Sequence, residues 1–349
     1  MTETPGSKQI AAALLKWYDA NKRTFAFRDI GNAYKTWVSE IMLQQTRTET
    51  AEGYFVRFTA RFPDVKALAE APEEDVLKMW EGLGYYTRAR NLHKAAKVIR
   101  EKHGGVFPSR YEEIRALPGV GDYTAAAIGS IAFDLPYPAM DGNLTRVFSR
   151  LYDRHEDMDK PAAKQLLAAI AQNEMPETRC GDFNQALMDI GATICLPGTP
   201  ECDLCPLKGF CDGMKHGCAE ELPVHAKAKP PKDVQMTVLL LHAESRIAMT
   251  QRKQALLNGL WTFLLFEDMT EEQMLLSPIL KGKPIRNIRE AGNARHVFTH
   301  LIWNMRLITA EMDEETPLNG VTWVEISEID RLALPGAMKK AKETAKRML

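Results

Sequence analysis

The sequence predicts a two-domain protein, an all-α N-terminal domain followed by an α+β C-terminal domain, and three observations carry that assignment. As far as Cys218 the apolar residues recur with the period of a helix. Beyond Val234 the period becomes two, and β-branched and aromatic residues take over. Between them Glu221–Asp233 (ELPVHAKAKPPKD) offers Pro, Lys and Ala with little to bury, the composition of a semi-rigid linker. A chain of 349 residues fits this division, since domains run to about 100–200 residues.

The expected boundaries are 1–220, 221–233 and 234–349. In the first domain Ile10, Leu14 and Trp17 share one helical face, as do Trp37 and Ile41. Further helical patterns span 73–80, 86–102, 122–133, 143–153, 160–173 and 182–194, parted by Pro or Gly. In the second domain strands are expected at Val234–His242, Arg246–Thr250, Leu260–Phe266, Val297–Glu311 and Val321–Ile326, with a partly helical end from Ile329. The basic stretch 331–349 reads as a solvated helix face.

With 45 Lys+Arg against 46 Asp+Glu the formal charge is −1, which excludes a polycationic nucleic-acid coat and an acidic tail protein. The composition, 45% hydrophobic and 26% charged, is that of an ordinary globular chain and excludes disorder. Ile10–Leu15 is too short and too interrupted by charge for a secretory core, and no window approaches the roughly 18 apolar residues of a membrane span. A bacterial cytosolic protein, associated with the nucleoid, is the expectation.

All six cysteines lie between Cys180 and Cys218. Cys195, Cys202, Cys205 and Cys211 form C-x6-C-x2-C-x5-C, and four thiolates so close repel one another unless a cation neutralises them. Zinc and a [4Fe–4S] cluster are the physical candidates beside unligated thiols. Only one C-x2-C knuckle is present and the outer spacings are wide, which favours the bulkier cubane. Cys180 and Cys218 fall outside the spacing and read as core or surface thiols.

Leu117-Pro118-Gly119-Val120-Gly121 lies between helical stretches. Its glycines allow a tight reversal that presents the N–H groups of Gly119, Val120 and Gly121 at a helix N-terminus, a cradle for a phosphodiester. A plain interhelical turn is the competing reading. The expected helix–hairpin–helix covers about 109–133.

Glu40 sits in a mostly apolar helix (WVSEIMLQQT), where desolvation raises a carboxyl pKa and equips it as a general acid. Asp141, in MDGNLTR, stands where an N-cap would. Cleavage of a glycosidic bond through an oxocarbenium-like transition state uses one protonated and one ionised carboxyl, so the two carry more meaning together than apart.

These segments, with GLGYYTRARNLHKAA from Gly82, LPGVGDYTAAAI, FNQALMDIGATIC and the spaced cysteines, resemble the helix–hairpin–helix DNA glycosylase superfamily with an iron–sulfur loop, shared by endonuclease III and the adenine glycosylases of the MutY type. The resemblance implies an all-α glycosylase domain with a [4Fe–4S] loop at 195–211, joined to an α+β Nudix-like domain. It implies a monomer acting on duplex DNA that holds an 8-oxoguanine·adenine or guanine·adenine mispair. Where the endonuclease III branch has an attacking lysine after the hairpin, this chain has Tyr123, so a monofunctional glycosylase is expected. Carried over by position, Glu40 protonates adenine N7, Asp141 faces the sugar cation, and Tyr123 and Asn143 support the sugar. Arg28 contacts the flipped adenine or Glu40, although Phe27 replaces the family's usual Trp. Gln45, Thr46, Leu83 and Tyr85 resemble the residues that fill the vacated stack, Leu83 and Tyr85 reading otherwise as loop core.

In the second domain Leu257–Trp261 matches the family's LxGLW stretch, and Phe298-Thr299-His300 resembles the loop that reads 8-oxoguanine, with Thr299 where Ser is usual. No segment supplies the clustered carboxylates of a Nudix hydrolase. His296 and His300 do not converge as a metal pair in a strand-loop context. The competing readings are a bifunctional glycosylase/lyase, a noncatalytic iron–sulfur module that binds DNA or carries electrons, and a nucleotide hydrolase.

Overall fold

Helices with almost no polar face set the architecture of the first compact unit, because a helix apolar all round must lie inside. In the computed structural model, which describes residues 7–29, 31–226 and 230–348, the first unit comprises residues up to 71 and from 90 to 227. Its helices are α1 (Ser7–Asn21), α2 (Ala33–Leu43), α3 (Thr48–Arg61) and α4 (Val65–Glu70) before the second unit's α5 (Glu73–Met79). There follow α6 (Thr87–Lys102), α7 (Tyr111–Arg115), α8 (Asp122–Phe133), α9 (Gly142–Leu151), α10 (Pro161–Asn173), α11 (Cys180–Thr193) and the short α12 (Asp212–Lys215).

Helix α2 starts where Asn32 caps it, accepting from Lys35 N at 3.0 Å, and Tyr34 through Met42 are buried but for Lys35. It packs against α8, whose Thr124–Ser130 are buried, and α8 packs in turn against α11. Asn184 of α11 fixes the segment that leads to α9: its Nδ2 donates to Ser130 Oγ and Tyr137 O, and its Oδ1 accepts from Ala139 N. Helix α3 was not expected, since only Ala51, Phe55 and Phe58 of its residues are buried and so thin a stripe is easily missed.

Leu117–Val120 close a turn through Val120 N to Leu117 O, 3.1 Å, with Pro118 and Gly119 at the positions of a type II turn. Gly119 has φ +76°, and a Cβ there would lie 2.5 Å from Asn91 Cβ. The turn corrects one expectation: the Val120 N–H is used internally and its side chain is buried, so Val120 does not present that N–H outward.

The second unit takes in residues 72–89 together with 228–349, an inclusion that a boundary at 220 does not anticipate. Strand β1 (Lys232–Ala243) is its centre, flanked by β2 (Arg246–Gln251), β3 (Trp261–Thr262), β4 (Leu264–Glu267), β5 (Arg286–Val297), β6 (Leu301–Glu311) and β7 (Thr322–Glu325), with helices α13 (Glu271–Leu275) and α14 (Lys339–Lys346). The sheet order is β3-β2-β1-β6-β5, with β4 on β1 and β7 on β2; β1 and β6 run parallel. Alternate β1 side chains fill two cores, Val238 and Leu240 beneath Ala341 and Ala345 of α14, Leu239 and Leu241 with Leu264 and Phe266 on the other face. The expected strand 297–311 is in fact β6 with the turn before it, and β5 is an addition; the expected strand 260–266 is broken into β3 and β4.

The expected linker is docked in its first part. Leu222 is buried, and Val224 O accepts from Met158 N at 2.9 Å; residues 227–229 lie outside the described ones.

Candidate active site

A pocket of about 860 Å3, counting its open mouth, lies among α2, α8, α9 and α11 and takes in the segment 23–28. Glu40 of α2 is its floor, 5% exposed, and Tyr123 from the first turn of α8 donates its hydroxyl to Glu40 Oε2 at 2.7 Å. Burial pushes the Glu40 carboxyl up to about 7; the Tyr123 hydrogen bond opposes this, Asp141 reinforces it and Arg28 opposes it. Tyr123 is itself held well above its ordinary value by burial and by the two carboxyls. It therefore acts as a hydrogen-bond donor.

Asp141 is the N-cap of α9, and both readings of its position coexist. Its Oδ1 accepts from Leu144 N at 2.7 Å and its Oδ2 from Asn143 Nδ2 at 2.9 Å. Burial raises its pKa while these donors pull it back. Gly191 of α11 presses on Asn143, where a Cβ would stand 2.6 Å from Asn143 Cβ. Arg146 ties Asn143 to the cysteine loop: Nη2 donates to Asn143 Oδ1 and Gly191 O, and Nε to Cys195 O at 2.7 Å.

Phe25 and Phe27 stack at 5.1 Å along the pocket lining. Arg28 also lines it, though its guanidinium is committed to Asp189 of α11, with Nη2 donating to Oδ1 at 2.7 Å and Nη1 to Oδ2. Arg23 Nε adds a second bond to Asp189 Oδ1, also 2.7 Å. The sequence reading missed Asp189, which is fully buried; an acid inside the apolar FNQALMDIGATIC was the available signal.

A model of HhH-GPD superfamily base excision DNA repair proteins matches residues 38–172, and a model of the NUDIX domain matches 236–344. The adenine DNA glycosylase of Buchnera aphidicola subsp. Baizongia pistaciae is 34% identical over 338 residues, covering 94% of each chain. That of Homo sapiens is 31% identical over 394 residues, covering 94% of this chain and 72% of its own. The chain belongs to the adenine DNA glycosylase family. Members of the adenine DNA glycosylase family are DNA N-glycosylases of base excision repair, and this chain is one of them. Among solved structures, a thermostable thymine-DNA glycosylase aligns with TM-score 0.55 and 27% identity, over 60% of this chain and 97% of its own. A non-covalent endonuclease III–DNA complex aligns with TM-score 0.51 and 22% identity over 61% of this chain and 98% of its own, a likeness of fold alone.

In this adenine DNA glycosylase the four spaced cysteines do converge. Cys195, Cys202, Cys205 and Cys211 line one cavity with Arg150. Arg150 is buried to 2% exposure and donates to Leu196 O, Gly198 O, Leu222 O and, at 3.3 Å, to Cys195 Sγ. A buried guanidinium with carbonyl partners and a thiol fits an anionic occupant held by the sulfurs. Burial pushes the Cys205 thiol up to about 11 and raises Cys202 and Cys211, and the mutual proximity of the four sulfurs adds to the shift.

Of the stack-filling candidates, Gln45 is exposed with φ 56° and Thr46 lies at the pocket edge. In the second unit Tyr85 is half exposed with φ 47°, and its hydroxyl lies 2.7 Å from Thr299 Oγ1. Leu83 is buried at 7% exposure, the position that its alternative reading as loop core describes. Phe298 packs edge-on to Trp303 at 5.0 Å and to His296, while His300 is exposed on the turn between β5 and β6.

Proposed function

We propose that this adenine DNA glycosylase hydrolyses the N-glycosidic bond of adenine opposite 8-oxoguanine or guanine in duplex DNA and leaves the strand intact. The observation that carries the reading is Glu40, buried at the pocket floor with a carboxyl pushed up to about 7. Near neutral pH a fraction of such carboxyls hold a proton, and Tyr123 occupies Oε2, so Oε1 is the oxygen left to deliver it. The target base must leave the duplex stack to reach it, at a cost of a few kcal/mol that is lower for a mispair.

The proton passes from Glu40 to adenine N7, the C1′–N9 bond breaks, and its electron pair leaves with the base. The ionised Asp141 faces the oxocarbenium-like sugar, held toward it by Leu144 N and Asn143. Water then adds to C1′ and gives its proton to Glu40, now a carboxylate, or to Asp141. No lysine is among the described residues lining the pocket, and Tyr123 stands after the hairpin, which supports a glycosylase without an amine nucleophile.

Cys195, Cys202, Cys205 and Cys211 would hold a [4Fe–4S] cluster, which when bound supplies a covalent staple across the loop and a one-electron centre. Arg150 would then serve as the buried counter-charge. Gly119 and Gly121 would face a phosphodiester, Gln45 and Thr46 the vacated stack, and Tyr85, Phe298, Thr299 and His300 the opposite base. A monomer in a bacterial cytosol completes the reading.

The test is a single-turnover assay on a duplex with one 8-oxoguanine·adenine pair, read with and without alkali, for the wild type and Glu40→Gln. Adenine loss that appears as strand breaks only after alkali, and disappears in Glu40→Gln, is expected. Breaks without alkali at the rate of base loss would restore the lyase reading, and base loss surviving Glu40→Gln would remove Glu40 from its role.

A further inference from the structure

The chain beyond the last cysteine of the loop turns back to the C-terminal end of α9, where a second group of metal-ligating side chains meets. Asp153, two residues past α9 and in a left-handed conformation (φ 48°), is the hub. Its Oδ1 lies 2.8 Å from His155 Nε2 and 2.9 Å from Cys218 Sγ, and its Oδ2 lies 2.8 Å from His216 Nδ1. The donor atoms of Asp153, His155 and Cys218 all lie within 4.8 Å of one another.

Two readings compete. As a hydrogen-bonded cluster, one carboxylate accepts from a thiol and two imidazoles. As a ligand set, the same atoms offer two imidazole nitrogens, a thiolate and a carboxylate oxygen. That combination suits zinc and its neighbours in the transition series, whereas magnesium and calcium take oxygen-only shells. Convergence favours the second reading, because Asp153, His155 and Cys218 come from two distant segments, meet within 4.8 Å and include both kinds of donor that bind zinc best, with His216 on the second carboxylate oxygen as the nearest fourth ligand.

We propose that Asp153, His155, His216 and Cys218 form a mononuclear site for a zinc-class divalent cation, separate from the four-cysteine loop. Around a tetrahedral zinc, ligand atoms stand about 3.4–3.7 Å apart. The contacts to Asp153 must open by roughly 1 Å or less, and His216, which meets the other carboxylate oxygen, must swing in to join Asp153, His155 and Cys218. His155 and His216 are the residues that can move, since both side chains are more than half exposed. Binding exchanges the thiol proton of Cys218 for the metal, and in each imidazole the hydrogen moves to the ring nitrogen turned away from the ion, which frees the lone pair of the other. The ion would tie the end of the cysteine loop to the helix whose other end carries Asp141.

The experiment uses the full-length protein with its iron content intact, titrated with zinc against a colorimetric chelator, with zinc and iron counted by elemental analysis. One zinc per chain is expected, with iron unchanged. Zinc-edge X-ray absorption should report one sulfur and three nitrogen or oxygen neighbours. Cys218→Ser and, separately, His155→Gln should weaken zinc binding by about tenfold or more at constant iron. Zinc uptake that both variants retain, a four-sulfur shell, iron release matching zinc uptake, or no uptake by the wild type would each overturn the site.

Discussion

The floor of the pocket and the wall behind Arg28 each bury a carboxylate, and the two have partners of different charge. Glu40 on the floor has one hydrogen-bond donor of note, a neutral phenol, and its carboxyl is pushed up to about 7. Asp189 in the wall accepts from two guanidinium groups and from the backbone N–H of Arg23. Burial is common to both; the charge of the partner is not. A carboxyl becomes an acid near neutral pH where water is excluded and no cation is supplied in exchange.

Breaking the floor gives the largest effect. Glu40→Gln keeps the shape and removes the proton, and single-turnover adenine release should fall by about 10³-fold. Breaking the wall comes next. Asp189→Asn leaves Arg28 buried without its counter-charge and should lower unfolding stability by about 3 kcal/mol, read by denaturant titration. Arg28 already lowers the Glu40 pKa, so freeing its charge should also shift the alkaline limb of the excision pH profile downward.

The contrast also predicts stability against pH. A carboxyl whose folded pKa lies above its unfolded value binds its proton more tightly when folded, so stability declines as pH rises from about 4.5 to about 7 and stays lower beyond. Glu40→Gln is free of that decline and should exceed the wild type by on the order of 3 kcal/mol at pH 8, with the gap closing near pH 4.5, as measured by melting at each pH. The smallest effect belongs to Tyr123→Phe. Loss of its hydrogen bond raises the Glu40 pKa further, so the alkaline limb should move upward while the rate near neutrality changes by less than about tenfold.

The floor was legible in the sequence and the wall was not. Glu40 stands out because a charged residue inside WVSEIMLQQT violates the period around it, and the cysteine spacing and the Asp141 cap are likewise local patterns. Asp189 finds its partners 161 and 166 residues away, and no local pattern encodes them. Strand β5 was missed for a similar reason. RNIREAGNARHV is an edge strand with β6 as its neighbour, and its mostly exposed residues carry no apolar alternation. Residues 72–89 read as one more helix of the first domain, because periodicity reports that a helix has an apolar face and not which core receives it.

In the proposed reaction Asp141 makes a folding signal and a reactive group the same atom set. Its carboxylate begins α9, so the partial positive charge of that helix end bears on it permanently, and its two donors leave it little freedom to rotate. In that reaction the solvent reorganisation that a free carboxylate would undergo beside a nascent sugar cation would already have been completed during folding. Burial pushes both neighbouring carboxyls up, and the one at a helix start has Leu144 N and Asn143 pulling against that shift, whereas the one in α2 has the Tyr123 phenol.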